Sequence, residues 1–337
     1  MLLLALACEA PEPHHSDPPV SADSDTEASV EDSPEDSPQD TEPAYEALLR
    51  LEEVPDQELS GEEVFAPRIH EVDIVLPHGA WFGLLSAPYD YVEGRATLDG
   101  EAYGSVGVRL RGKIGSFRPV NDKPKLRVDL NHYVDGQRYY GLESVSLNNS
   151  VVDCSNLKEV VAAQVFELLD IPASRASYAR VTLNGEDYGL YVLLETQDDA
   201  FLRQNWEDSS GNLYDGKYVW YGGWNYILLD FAQETDTLFQ LEEGVDVGHA
   251  DIKAISDALN ATWGQSSFYS ELGKLVDWPA LHRAWAAEQW LGQNDGYVLN
   301  RNNYRIYFDP ADGLAELIPW DYDYSFLRDY QWGLSWA

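Results

Sequence analysis

Alternating apolar and polar residues predict two β-hairpins in the first half of the chain. The stretch GRATLDGEAYGSVGVRLRG (94–112) alternates on both sides of an Asp-Gly pair at 99–100. The stretch YARVTLNGEDYGLYVLLE (178–195) does the same around an Asn-Gly pair at 184–185. Asp-Gly and Asn-Gly between alternating segments are typical of two-residue hairpin turns, because both turn residues need a positive φ.

One helix accompanies these strands. The segment SNLKEVVAAQVFELLDIP has apolar residues at helical spacing and ends at Pro172, with Ser155 or Asn156 as the expected N-cap. The stretches EVDIVLP and KPKLRVDL predict two further strands. We therefore expect residues 66–195 to form an N-terminal lobe made of a sheet and one helix.

The second half has a different pattern. HADIKAISDALNAT and DWPALHRAWAAEQWLGQND have helical spacing, and NNYRIYFDPADGLAELIPWDYD predicts a short hairpin. Residues 196–337 are expected to form a C-terminal lobe. The sequence thus predicts an α+β fold of two lobes, with a ligand-binding cleft between them.

Charge separates the N-terminal region from the rest. The chain carries 59 acidic and 22 basic residues, a formal net charge of -37, and no Lys or Arg precedes Arg50. Residues 9–62 are rich in Asp, Glu, Ser and Pro, a composition that predicts a disordered acidic tether. The acidic balance argues against nucleic acid as a partner, since nucleic-acid binding needs a basic surface.

The first eight residues, MLLLALAC, resemble the end of a bacterial lipoprotein signal peptide, with Cys8 as the lipidation site. Two features depart from that pattern: no basic residue precedes the apolar run, and Ala5 stands where Leu is usual. Lipidation would make this an exported protein anchored to the bacterial envelope or cell surface, touching the membrane only through its lipid.

Signatures of common hydrolases, such as H-E-x-x-H and G-x-S-x-G, are absent from the sequence, and so is the P-loop. Carboxylates and carboxamides instead gather near the C-terminus. Oxygen ligands of this kind suit Mg²⁺ or Mn²⁺, which are commonly bound together with substrate phosphates. The residues concerned are Asp295, Asn300, Asn302, Asn303, Asp321 and Asp323.

The last two of these lie in LIPWDYDYSF (317–326), where an apolar run leads into Asp321 and Asp323. Their spacing of two would place both carboxylates on one side of an extended strand. In phosphoryl transfer an Asp orients the attacking hydroxyl while an Asn and a second Asp hold the metal. Asp295 and Asn300 have the five-residue spacing of a kinase catalytic loop, a pattern that also arises by chance.

The first half offers complementary groups. Lys123 is predicted on a strand and Glu159 on the helix behind it, the arrangement that directs a lysine toward nucleotide phosphates. Gly112 and Gly115 follow the strand that ends in Arg111, where a flexible backbone can approach phosphates closely. Taken singly, each of these residues has an ordinary structural explanation.

Three segments together resemble the CotH family, the spore-coat protein H kinases. They are VGVRLRGKIGSFRPVNDKPKLRVDLNHYVDGQRYYGLESVSLNN, LKEVVAAQVFELLDIPASRASYARVTLNGEDYGLYVLLE and NNYRIYFDPADGLAELIPWDYDYSF, in the order of the family. The resemblance implies an atypical protein-kinase-like fold, the use of ATP with Mg²⁺ or Mn²⁺, and phosphorylation of serine on extracytoplasmic proteins. A serine-containing surface or coat protein is then the expected partner.

The resemblance also implies roles for individual residues. By that resemblance Asp295 is the catalytic aspartate and Asp321 is a metal ligand, with Asp323 as its support or as an alternate metal ligand. Either Asn300 or Asn303 is the further metal ligand. The nucleotide-binding residues are Arg111, Gly112, Lys123 and Glu159.

Some positions depart from the family pattern. Lys113 follows RLRG where Asn or Ser is usual, and Lys125 stands where Ser is usual, which leaves open whether Lys123 or Lys125 orients the nucleotide. The chain also stops at Ala337, where relatives continue, which suggests a truncated C-terminal lobe.

Other functions are compatible with the same residues. A catalytically weak kinase-fold protein could serve in adhesion or in a coat, and the 11 Trp and 21 Tyr would also suit carbohydrate binding. The acidic cluster could alternatively activate water in a phosphohydrolase.

Overall fold

The computed structural model describes residues 61–66, 68–113, 115–216, 218–222, 225–231 and 235–326. Cys8, the leader at 1–8 and nearly all of the predicted tether lie outside these residues. Helix α1 (Glu62–Phe65) begins inside the predicted tether, and its Val64 is fully buried in the core of the first half. Within the described part of the chain, no helix combines the length and apolar character needed to cross a membrane.

Seven strands of the first half close into a barrel in the order β1-β2-β3-β4-β5-β7-β6. All neighbouring strands are antiparallel except β1 and β6, whose parallel pairing closes the barrel. Both predicted hairpins are confirmed, with Asp99-Gly100 and Asn184-Gly185 in positive-φ turns. The strands are β1 (Ile69–Val75), β2 (Val92–Leu98), β3 (Glu101–Arg111), β4 (Lys125–Asp129), β5 (Ser144–Asn148), β6 (Ala176–Leu183) and β7 (Glu186–Glu195), with helix α2 (His78–Ser86) between β1 and β2.

Alternate residues of each strand fill the barrel interior, as strand geometry requires. In β4, Leu126 and Val128 are fully buried among the other core side chains. The intervening Lys125 and Arg127 point to the outer face, directly opposite Arg111 and Arg109 of β3. Like charges paired across strands are unfavourable, so this basic face favours anionic groups lying against it.

The predicted helix is confirmed as α3 (Lys158–Leu168), which buries Glu159 together with apolar side chains. The cap is different from the one expected. The Asp153 carboxylate accepts hydrogen bonds from the backbone amides of Ser155 (3.1 Å) and Lys158 (2.9 Å). The amide of Lys158, the first residue of the helix, is therefore satisfied by an aspartate that precedes the expected caps Ser155 and Asn156.

The second half has its own core, built from helices and a four-stranded sheet of order β11-β8-β12-β13. The predicted C-terminal hairpin is confirmed as β12 paired with β13. The described elements are α4 (Asp199–Asn205), β8 (Leu213–Asp215), β9 (Val219–Gly222), β10 (Asn225–Ile227), β11 (Gln240–Glu243), α5 (Ala250–Thr262), α6 (Phe268–Leu272), α7 (Trp278–Leu291), α8 (Tyr297–Asn300), β12 (Tyr304–Phe308) and β13 (Ala315–Pro319). This is the α+β content predicted from the sequence.

The cap of α3 can be tested by two substitutions. Asp153→Ala removes the acceptor for the Lys158 amide at the helix start and for the Ser155 amide before it, and is expected to lower the free energy of unfolding by about 2 kcal/mol. Ser155→Ala removes the 3.2 Å bond from the Leu157 amide and the bond that Ser155 Oγ donates to Asp153, and should cost about 1 kcal/mol or less. Urea unfolding of both variants measures the difference, and a larger loss for Ser155→Ala would contradict the assignment.

Candidate functional site

Lys125 lies at the centre of a buried ionic cluster. Its ammonium donates a hydrogen bond to Asp323 Oδ2 at 2.9 Å and lies 3.4 Å from Asp321 Oδ1. The side chain is 3% exposed, although it projects from the outer face of the barrel. Burial by itself would lower the pKa of Lys125, but the charges of Asp321, Asp323 and Glu159 raise it above its ordinary value. Lys125 therefore keeps its positive charge.

Lys123 lies elsewhere, and the predicted Lys123–Glu159 arrangement is wrong. Lys123 precedes β4, its ammonium donates to the Leu190 carbonyl at 2.7 Å, and it lies over the Tyr191 ring at 4.9 Å. Lys125, and not Lys123, is therefore the lysine that the structure places beside Glu159. Pro124 lies between the two lysines, and Lys125, directly after it, is the first residue of β4 that pairs with β3.

Glu159 reaches the cluster from α3. It is 1% exposed, and Asn148 of β5 donates a hydrogen bond to its Oε2. Its other oxygen, Oε1, is buried without a hydrogen-bond partner. Burial, and then the charges of Asp321 and Asp323, raise the pKa of Glu159 well above its usual range. A buried acceptor with an unused oxygen is available to a further cation or donor.

Asp321 and Asp323 lie beyond the end of β13, so they do not share an extended strand as the sequence pattern suggested. Asp321 has a left-handed backbone with φ 50°, which Asp tolerates better than most residues. Its side chain is 23% exposed, whereas that of Asp323 is 3% exposed. The turn still brings both carboxylates to Lys125. Asp321 is the one open to a ligand, and Asp323 is covered.

Asp295 is enclosed by a shell of three asparagine amides. Asn300 donates to its Oδ1, and Asn302 (3.1 Å) and Asn303 (2.9 Å) donate to its Oδ2. Burial raises the pKa of Asp295, and the three amide hydrogen bonds partly oppose that rise. The carboxylate is therefore held in one orientation by its neighbours.

The same loop is tied to Asp321. The backbone oxygen of Asp321 accepts hydrogen bonds from Gln293 (2.9 Å) and Asn303 (3.4 Å). Asn303 therefore bridges the two aspartates. The predicted site residues Asp295, Asn300, Asn303 and Asp321 are brought together here, while Gln293 and the full role of Asn302 were missed. The sequence signal that could have identified both residues is their position in QNDGYVLNRNN (293–303), the segment that also contains Asp295 and Asn300.

Arg111 flanks the cluster on the barrel side. Its guanidinium lies 4.7 Å from the Trp320 ring centroid, and that of Arg305 lies 5.2 Å from the same centroid. Burial, together with the nearby charges of Arg109, Arg127 and Arg305, lowers the pKa of Arg111 to about 10, while Asp321 opposes the shift. Arg111 thus remains charged at neutral pH. The roles of Arg305 and Trp320 were missed by the sequence analysis.

Gly112 continues from Arg111 into the loop between β3 and β4. It has φ 85°, and a side chain there would lie 3.0 Å from Ser116 Oγ. The Gly112 carbonyl accepts a hydrogen bond from the Tyr89 hydroxyl at 2.9 Å. Glycine is therefore required for the turn itself, next to the basic face of the barrel.

The donor set fits a divalent cation bound together with phosphates. Three carboxylates, those of Asp321, Asp323 and Glu159, act on Lys125, and that of Asp321 also acts on Arg111. Burial and the charge of Asp321 raise the pKa of Asp323 to about 7. Within the described ranges, no group of three or more His, Cys, Asp or Glu side chains is arranged to hold a metal. Mg²⁺ usually takes one or two carboxylates and completes its shell with water and phosphate. Asp321 and the carbonyl oxygens of Asn300 and Asn303 suit that role.

The central position of Lys125 predicts a large effect on stability. Lys125→Met leaves buried carboxylates without their cation and is expected to cost about 3 kcal/mol or more. The matched variant Lys123→Met removes one hydrogen bond to a carbonyl and should cost less than about 2 kcal/mol. Guanidinium unfolding at neutral pH compares the two, and equal losses would show that Lys125 is not central to the cluster.

The sequence is similar to known proteins over most of its length. Residues 108–335 match the family model described as "CotH kinase protein", a range that contains every residue of the cluster. The chain is similar to "Inner spore coat protein H" of Bacillus subtilis (strain 168), with 29% identity over 217 residues. That alignment covers 62% of this chain, which spans 57% of the length of the relative. Since the family model matches most of the chain, from β3 through the Asp321 turn, the chain belongs to the CotH family.

Proposed function

We propose that this chain is a protein kinase that transfers the γ-phosphate of ATP to serine residues of proteins outside the cytoplasm. The observation that carries the proposal is the convergence of Lys125, Glu159, Asp321 and Asp323 beside the amide-bound Asp295. A lysine paired with a helix glutamate, a metal-binding aspartate and a catalytic aspartate are the parts that phosphoryl transfer in protein kinases requires. Membership of a family described as kinases supports it.

Each group has a distinct task in this proposal. Lys125 and Arg111 supply positive charge for the phosphates, and Glu159 orients Lys125. Asp321, with Asn300 or Asn303, would hold Mg²⁺ or Mn²⁺, which when bound neutralises phosphate charge. Asp323 fixes Lys125 through the 2.9 Å contact and thereby supports Asp321.

Asp295 acts on the protein substrate. The serine oxygen forms a bond to the γ-phosphorus, the bond from that phosphorus to the ADP oxygen breaks, and the serine proton passes to Asp295. Burial raises the pKa of Asp295, which makes it a better proton acceptor than an exposed aspartate. The amides of Asn300, Asn302 and Asn303 fix the carboxylate before substrate arrives.

We further propose a two-lobed, kinase-like organisation. The barrel would bind the nucleotide phosphates, and the second core would carry Asp295 and the metal ligands. The name of the Bacillus subtilis relative supports a role at a coat or surface, with a serine-containing protein as substrate. Anchoring through a lipid at Cys8 would place the enzyme on the outer side of a membrane.

Transfer of labelled phosphate tests the proposal. The full-length chain with Mn²⁺ or Mg²⁺ and γ-labelled ATP is expected to label itself or a serine-rich acceptor protein. Asp295→Asn should reduce the rate by roughly 100-fold or more while leaving ATP binding nearly unchanged. Asp321→Asn should weaken the metal-dependent binding of ATP, which titration calorimetry measures.

Asp312→Asn, in the exposed turn between β12 and β13, is the matched control and should leave transfer unchanged. ATP binding without transfer to any serine would favour the alternative of a kinase-fold surface protein. Release of free phosphate with no labelled protein would favour a phosphohydrolase. Failure of the wild-type chain to bind ATP with either metal would refute the kinase proposal.

A further inference from the structure

A polar cavity of about 300 Å³ lies beside the basic face of the barrel. It is lined by β4 and β5, the segment after β7, and β11, so both halves of the fold contribute. Its volume lies at the lower end of the range for small-molecule sites. The lining residues that matter most are Arg127, Asp129, Ser144, Asp198 and Glu243.

The cavity lies on the same face of β4 as Lys125. Lys125, Arg127 and Asp129 occupy alternate positions of β4 and therefore share its outer face. At about 3.3 Å per residue, Asp129 lies roughly 13 Å along the strand from Lys125. An elongated ligand that has its phosphates at Lys125 and follows β4 would place its other end in the cavity.

Charge is distributed unequally along this path. Toward Lys125 stand the cationic groups of Arg111 and Arg305, while Arg127, which lines the cavity, lies between the two ends on β4. At the far end stand the carboxylates of Asp129, Asp198 and Glu243. A phosphate chain is attracted to the first part and repelled by the carboxylates of the second, which favours one direction for a bound nucleotide.

The cavity has unused hydrogen-bonding capacity. The Arg127 Nε is buried without a hydrogen-bond partner, although its Nη2 donates to Ser144 Oγ at 3.2 Å and lies 3.8 Å from Asp198 Oδ2. Asp198 accepts from Ser144 Oγ at 2.8 Å. The Glu243 carboxylate makes no hydrogen bond within the described residues, and burial and the charge of Asp198 raise its pKa to about 7. Carboxylates placed in this way suit a ligand that presents hydroxyl or amino donors.

We propose that this cavity binds the nucleoside half of the nucleotide, with Glu243 and Asp129 accepting hydrogen bonds from the ribose hydroxyls and the amino group of the base. The assignment rests on the proposed function, because it takes the phosphates to lie at Lys125. In this assignment Glu243 determines specificity, because it raises the affinity for a nucleotide above that for a bare polyphosphate.

Binding of two probes tests the assignment, namely ATP and inorganic tripolyphosphate, each with Mn²⁺ and the full-length chain. Wild type is expected to bind ATP roughly 10-fold or more tightly than tripolyphosphate. Glu243→Ala should weaken ATP binding roughly 10-fold and leave tripolyphosphate binding unchanged, as expected for loss of a hydrogen bond to a charged group. Glu243→Gln keeps the shape and covers the case in which the alanine variant fails to fold.

Glu242→Ala is the matched control, since Glu242 adjoins Glu243 in β11 and does not line the cavity. It should change neither affinity. Unchanged ATP binding in both Glu243 variants, or equal binding of the two probes by wild type, would overturn the nucleoside assignment and leave the kinase proposal intact. Absence of binding of both probes to wild type would overturn the kinase proposal and this assignment with it.

Discussion

The contact of Lys125 with Asp321 and Asp323 is the interaction on which the rest of the site depends. The residues that it joins are 196 and 198 positions apart in the chain. An ammonium this deeply buried is tolerable only with carboxylates beside it, and the carboxylates likewise require the ammonium. The outer face of the barrel and the turn after β13 must therefore meet before either is stable. Because the same turn is tied through Asn303 to Asp295, folding and assembly of the site are one process.

Local sequence signals predicted the elements well because their causes are local. The turns at Asp99-Gly100 and Asn184-Gly185 need positive φ values, and the residues there supply them cheaply. The cap of α3 was placed wrongly because Asp153 reaches across several residues of loop to the helix start. Barrel closure by the parallel pair of β1 and β6 was also missed, since no short motif marks a pairing between strands about 100 residues apart.

The chemistry of the site was predictable as a set of residue types, and its geometry was not. Lys123 and Lys125 have the same strand parity, so alternation cannot distinguish them, and only the distant carboxylates identify Lys125. The spacing of Asp321 and Asp323 suggested a strand, but the left-handed backbone at Asp321 turns the chain instead. The arginine at position 305 and the ring of Trp320 became visible as parts of the site only once β12 and β13 lay beside the barrel.

Closure of the barrel also limits how another protein can dock. A sheet without edges offers no row of free amides and carbonyls, so an extended peptide cannot add to it as an extra strand. The second sheet does have edges, at β11 and β13, and the start of β13 is already paired with residues 275–277. The barrel can therefore bind a partner only through its side chains and loops. Main-chain recognition is left to the open sheets of the second half, among them the one that leads into Asp321.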